Sequence, residues 1–406
     1  MKRGGLLLAV VAMVVSLIAA MTHRESVRRD GEYGLWVHWQ SDTVAVHWIT
    51  RAVRPGFLEV ESDGRQRYRT ETPSDTQHVA RFRDPGQRTF TLRYGAAGDT
   101  ADLHETTIRT RPSRPRVSWG GADSVFIVSD IHGEFDRLVR LLRNAGLIGA
   151  DLRWTGGRKQ LAVLGDVLDR GDASLRALWF LYGLEPQAER AGGRLHLVLG
   201  NHEIMVMAGD LRYVAPAELE TARLHGASYA DLFHPQNSAL GRWLVSRPVL
   251  MRIGDILLAH GGVSSDWLGW NLETVQDSLS AWTREELFAR WMDSTYAAPL
   301  DSAGLARRAS YFWGPRSILW YRGYAQGDGT PSDTATAELH SVLRRFDARL
   351  HVVGHTPHPT IRQRFNGAYI EVNTVPFAAE ALLLVRRGNG WDRFRYRESG
   401  PAESLQ

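Results

Sequence analysis

The chain contains no cysteine. That excludes disulfide frameworks, thiolate metal sites and cysteine nucleophiles together, so any metal must be held through nitrogen and oxygen. The absence does not fix the compartment, because exported proteins also do without disulfides. Lysine is nearly missing too: Lys2 and Lys159 are the only two among 49 cationic side chains. The arginines alternate with acidic residues, and no basic block of the kind found in nucleic-acid tails occurs. The formal charge of +4 and pI near 9.4 therefore read as codon-level composition, not as a nucleic-acid footprint. What is present is globular: 406 residues, 43% apolar and 23% charged, enough for two or three domains with a sizeable core.

An apolar run from Leu6 to Met21 follows Lys2 and Arg3 and precedes the polar stretch THRESVRRD. This is the layout of an export signal, a basic segment and then an apolar one. No clean A-x-A site follows, although Ala20 is a tolerable cleavage point. The run is slightly short of the about 17 to 25 residues of a spanning helix. Residues 1–30 are read as a signal peptide or an uncleaved membrane anchor. Either places the rest in the periplasm or on the outer face of the cytoplasmic membrane.

From Tyr33 to about Thr110 the apolar period is two. VAVHWITR, FLEVES, HVARFR and RTFTLRYG read as short strands, punctuated by RPG, SDG and DPGQ turns. They predict a β-sandwich over residues 31–111. Its histidines, His38, His47, His78 and His104, lack ligand spacing and read as ordinary sheet residues. The stretch VAVHWITRAVRPGFLEVESDG resembles the fibronectin-like module that precedes the catalytic domain in some purple acid phosphatases. TRPSRPR, residues 110–116, reads as linker, with residues 112–116 separating the domains.

Beyond it, apolar strands alternate with helical stretches. VFIV ends in SDIHGE (129–134), LAVL in GDVLDRG (165–171) and LHLVL in GNHE (200–203). ILLA ends in HGG (260–262) and LHVV in GHTP (354–357). Each buried-type strand thus releases Asp, Asn or His beside a glycine, and in open α/β sheets the ligand site lies outside the carboxyl ends of the strands. Asp130, His132, Asp166, Asn201, His260 and His355 offer carboxylate, amide and imidazole donors suited to Mn, Fe, Zn or Ni better than to calcium. One carboxylate can serve two metals. The neighbouring Gly133, Gly165, Gly200 and Gly261 suit tight turns and close backbone approach.

D-x-H, G-D-x-x-D-R-G, G-N-H-E, H-G-G and a final G-H, in this order, closely resemble the calcineurin-like metallophosphoesterases of the phosphoprotein phosphatase type. GNHEIMVMAGDLRYV, NSALGRWLVSRP and LWYRGY resemble the bacterial, Shewanella-like branch, as does the lack of an Arg just before GNHE. The resemblance spans residues 117–398, leaving 399–406 as a tail. It implies an α/β fold, an αββα sandwich. It also implies one metal on Asp130, His132 and Asp166, with Asp166 bridging to a second on Asn201, His260 and His355. Two divalent or mixed-valence ions (Mn, Fe or Zn) would share the attacking hydroxide. Arg170 would bind phosphate, His202 would protonate the leaving oxygen with Asp169 orienting it, and Glu203 would be a supporting partner. Arg322 of LWYRGY is a candidate second phosphate clamp. The implied substrate is a phosphoserine, phosphothreonine or phosphotyrosine side chain, or a small phosphomonoester. A nucleotide or dinucleoside polyphosphate hydrolase and a noncatalytic metal-containing binding protein are the rival readings.

Taken singly, these residues have plainer readings. Asp169 suits a helix N-terminus ahead of the helical stretch Asp172–Leu184, and Arg322 a surface ion pair. His196, His225, His234, His340, His351 and His358 lack motif support and read as structural or surface residues. Two departures carry information. Pro357 of GHTP replaces the second His of the GHxH used by many relatives, which favours the phosphoprotein-phosphatase arrangement. Asn373 of YIEVNTV stands where relatives often have Asp, which predicts weaker support around His355. The helical stretch around LRYVAPAELETARL, and the aromatic-rich one from DWLGWNLETVQ through SAWTREELFARW to YFWG, read as core and cap helices or as a hood over the metals.

Overall fold

The computed structural model describes residues 34–111, 114–284, 311, 313–327 and 329–405. The apolar run Leu6–Met21 lies outside the described residues, and so do residues 285–310, which include EELFARW of the aromatic stretch. Among the described residues no helix is long and apolar enough to cross a membrane. The chain divides into two compact units, one formed by residues up to Thr110 with Pro216–Leu232, the other by Arg111–Ala215 with Phe233–Gln406.

The first unit is built on one antiparallel sheet of β1 (Trp36–Gln40), β2 (Thr43–Ser62), β3 (Arg65–Arg83), β4 (Thr89–Ala96) and β5 (Leu103–Arg109). SDG is a turn as expected: Asp63 and Gly64 both have positive φ (53° and 67°), the requirement of a two-residue hairpin. RPG is not. Arg54–Gly56 lies inside β2, where the register against β3 shifts between Ile49 and Arg54 and again at Pro55/Gly56. Proline cannot donate to a ladder but is accommodated at a bulge, so Pro-Gly here bends one strand instead of ending it. The part of β2 before the bulge pairs with β1 and the part after it with β4. Val44, Val46, Trp48, Leu58, Val60, Leu92 and Ile108 are fully buried, and the Trp48 indole donates to the Gly95 carbonyl at 3.1 Å.

Pro216–Leu232 differs from the sequence expectation. The helix Pro216–Leu224 does form, but the segment groups with the sheet unit and not with the fold on either side of it in sequence. His225 is buried with its ring near Trp36 (6.3 Å) and His47 (5.8 Å), contacts between aromatic residues that no sequence period announces.

The second unit contains β6 (Ser118–Trp119), β7 (Ser124–Val128), β8 (Gln160–Val163), β9 (Arg194–Leu197), β10 (Leu250–Ile253) and β11 (Ile256–Ala259). It continues with β12 (Leu350–Val353), β13 (Arg362–Arg364), β14 (Tyr369–Glu371), β15 (Glu380–Arg387), β16 (Gly390–Arg397) and β17 (Glu403–Ser404). Two six-stranded sheets result, ordered β13-β14-β12-β11-β10-β6 and β17-β16-β15-β7-β8-β9. Val125, Ile127, Ala162 and Leu382 of one sheet share a core with Met251, Leu258, Val352 and Ile370 of the other. Helices Phe135–Asn144 and Ser174–Arg190 pack on the sheet carrying β16 and β9. Leu339 and Leu343 of helix Asp333–Arg345 pack with Val353 and Tyr369 of the other. This is the expected αββα order. The tail is not wholly a tail, because Glu403–Ser404 adds β17 to the edge of β16.

Candidate metal centre and active site

The parallel strands β7, β8 and β9 of one sheet and β11 and β12 of the other end on the same rim. Their exits deliver Asp130, Asp166, Asn201, His260 and His355, and with His132 all are buried. Two donor groups emerge, His132–Asp166–His202 and Asp166–His260–His355, each with ligand atoms within 4.8 Å of one another. Asp166 is common to both. The His260 Nε2 atom lies 3.1 Å from Asp166 Oδ2 and 2.9 Å from Asn201 Oδ1, and His132 Nε2 lies 3.6 Å from Asp166 Oδ2.

The imidazoles are set up as ligands. His132 Nδ1 donates to the Leu168 carbonyl at 2.9 Å and His260 Nδ1 to the Leu164 carbonyl at 2.6 Å, which turns each Nε2 inward. His355 Nε2 is buried without a hydrogen-bond partner, the condition of an atom that expects an ion. Burial holds the His132 imidazole down at about 3, against the pull of Asp166, and lowers His355 as well. His260 goes the other way: despite burial, Asp166 and Asp130 push it up to about 9. Burial pushes the Asp130 carboxyl up to about 7, whereas Asp166, despite burial, is held well below the carboxylate range by His260 and His202. A cluster this unevenly charged, with an orphaned nitrogen and buried carboxylates, fits divalent cations.

Asp130 belongs to neither three-donor group. Its carboxylate accepts from Ser129 Oγ (2.5 Å), the His355 amide (3.0 Å) and Asn373 Nδ2 (2.7 Å). Asn373 therefore supports Asp130 and not the His355 ring, which corrects the expectation drawn from YIEVNTV. A neutral amide suffices because the group that it faces is itself a carboxylate.

Backbone strain is concentrated at this rim. Asp130, His132, Asp166, Asp169, Arg170 and His355 all have φ between 47° and 70°, the left-handed region that non-glycine residues avoid. Glu203 explains how the turns are held. Its carboxylate accepts from the amides of Asp166 (2.9 Å), Val167 (2.8 Å), Leu168 (3.2 Å) and Gly200 (2.8 Å), tying the β8 exit to the β9 exit. Gly200 is required by space: a Cβ there would lie 2.2 Å from Asp166 Oδ1.

His202 Nδ1 meets Asp169 Oδ2 at 2.5 Å, and both residues are buried. The helix-terminus reading of Asp169 fails, since the following helix starts at Ser174 with Ala173 at its N-cap. Despite its burial, His202 has its pKa raised by Asp166 and Asp169. His202 also belongs to one of the donor groups, a placement the motifs did not suggest. Arg170 is exposed, with Nη2 3.4 Å from His202 Nε2. Arg322 is exposed too; its charge acts on His355, and its segment is tied to HGG through Gly261 N–H to the Ile318 carbonyl at 2.9 Å. The sequence reading did not single out Tyr213 and Phe377, whose rings lie 5.5 Å from the Arg170 guanidinium. Tyr213 stands in the quoted GNHE stretch, but Phe377 has no motif to mark it.

Comparisons with known proteins agree with this geometry. The chain is 27% identical over 270 residues to Shewanella-like protein phosphatase 2 of Arabidopsis thaliana, a match covering 56% of this chain and 65% of the relative. It is also 27% identical to Shewanella-like protein phosphatase 1 of Plasmodium berghei, over 64% of this chain and 68% of that one. The chain thus spans just under two thirds of the plant relative's length. A solved cold-active protein-tyrosine phosphatase of a psychrophilic Shewanella species superposes with a TM-score of 0.68 at 27% identity, covering 91% of this chain and 98% of that one. The family model of the calcineurin-like phosphoesterases matches residues 124–359, more than half of the chain, which therefore belongs to that family.

Proposed function

We propose that the chain is a metal-dependent phosphomonoesterase acting on phosphorylated side chains of proteins. The observation that carries this is the buried His202–Asp169 pair, 2.5 Å apart, set beside Arg170 and the Asp166-centred donors. Asp166 with His132, and Asp166 with Asn201, His260 and His355, would hold two divalent ions, Asp130 completing the first set. Bound there, such ions supply Lewis acidity and lower the pKa of coordinated water. Arg170 presents a planar guanidinium that pairs with two phosphate oxygens, and Arg322 offers a second cation. His202 donates from Nε2 to the leaving oxygen, while Asp169 on Nδ1 fixes ring and tautomer. A binding protein without turnover would have no use for an acid so held. The pattern of residues 1–30 supports export to the periplasm or attachment to the outer face of the cytoplasmic membrane.

Metal analysis and a phosphopeptide panel, run beside diadenosine tetraphosphate, test the reading. Asp166→Asn should lose metal and turnover together. His202→Ala should keep its metal while slowing turnover by about 10²- to 10⁴-fold. Metal loss in His202→Ala would make that residue a ligand, and preference for the dinucleotide would move the enzyme to the polyphosphate hydrolases.

A further inference from the structure

We infer that Tyr213 is the wall on which an aryl leaving group stacks, so that this side chain sets the preference for phosphotyrosyl over phosphoseryl and phosphothreonyl esters. The inference rests on the phosphomonoesterase reading above. Five side chains close a circuit. The Arg170 guanidinium carbon lies 5.5 Å from the ring centres of Tyr213 and Phe377. Tyr213 lies 5.4 Å from His202, His202 4.8 Å from His132, and His132 4.5 Å from Phe377. A phosphate on Arg170 sits within this circuit.

The two aromatic residues are not equivalent. Nδ1 of His202 is taken by Asp169, so the proton leaves from Nε2, and the departing group must pass the His202 side of the circuit. The ring on that side is Tyr213, whereas Phe377 adjoins His132. Tyr213 is also open, at 43% exposure, while His202 beside it is buried. It is held without being covered: its carbonyl accepts the Arg170 amide at 2.8 Å, and Arg212, clamped to Asp210 at 2.8 Å, lies 5.7 Å from its ring. A phenyl leaving group can stack on such a ring; a seryl methylene has no face to offer it.

Peptides of one sequence carrying phosphotyrosine or phosphoserine give the test, with Tyr213→Leu, Tyr213→Phe and Phe377→Leu alongside wild type. In Tyr213→Leu the ratio of kcat/KM values, phosphotyrosyl over phosphoseryl, should fall by about 10-fold, mainly through KM, at unchanged metal content. Phenyl phosphate should lose the same factor as a competitor, with inorganic phosphate unaffected. Tyr213→Phe should keep the ratio within about 2-fold, and Phe377→Leu should move it less than Tyr213→Leu does. Equal losses on both esters, or a Phe variant as poor as the Leu variant, would overturn the assignment while leaving the phosphatase reading intact. A wild-type enzyme that cleaves neither peptide overturns both.

Discussion

At the scale of single residues, the site depends on which imidazoles are neutral and which are protonated. Burial keeps His132 and His355 neutral, whereas Asp166 and Asp169 raise His202 and keep its proton. A raised imidazole is fully protonated below its unfolded value, about 6.5, and loses the proton, with the stability that it brings, only as pH rises through the higher folded value. The acid form of His202 therefore persists to higher pH than that of an ordinary imidazole. Asp169→Asn removes part of that support, so the alkaline limb of the kcat profile should move to lower pH, with kcat reduced by about 10- to 10²-fold on poor leaving groups. A pH–rate profile of both proteins checks it, and an unmoved limb would detach Asp169 from His202 ionisation.

At the scale of elements, the site consists of strand exits tied to each other. Glu203 accepts four amides, from Asp166, Val167, Leu168 and Gly200, and so ties the left-handed turn after β8 to the extended Gly200 after β9. In Glu203→Gln one acceptor oxygen becomes a donor facing donors. Metal affinity should weaken by about 10- to 100-fold, read by metal titration, with a lowered melting temperature. These exits were legible in sequence because each carries its own signature: an apolar run, a glycine and a donor. The bent β2 was not, since Pro-Gly marks turns and bulges alike, and only the register against β3 distinguishes them. The grouping of Pro216–Leu232 with the first unit was equally hidden, because it depends on His225 meeting Trp36 and His47 from far along the chain. Asn373 was misassigned for a related reason: a substitution reveals lost charge but not the atom faced, which is Asp130.

At the scale of the whole molecule, buried imidazoles make stability depend on pH, and both compact units carry them, His47 and His225 in the first among others. His351 and His196 of the second unit are buried, and burial lowers them to about 4 and about 3. The unfolded chain takes up protons at these positions below about pH 6.5 while the folded chain does not, so stability falls as pH drops from there toward 4. The urea midpoint at pH 5 should lie below that at pH 7, and His351→Gln should narrow the gap.

Cation removal separates the units most directly. Every proposed donor, from Asp130 to His355, belongs to the second unit, and none to the sheet of β1–β5. Ions that bind the folded donors and not the unfolded chain stabilise by about 2.7 kcal/mol at a hundredfold excess over Kd. For a domain of this class that corresponds to a shift on the order of 5 °C. Two units need not melt together, so calorimetry with and without a chelator should show a second-unit transition lowered by that amount and a first-unit transition left where it was. Readdition of Mn, Fe or Zn should restore both the transition and the turnover. A chelated protein that melts unchanged yet has lost activity would mean that the donors are held in place by the turns and Glu203 alone. The cations would then serve the chemistry without contributing to the fold.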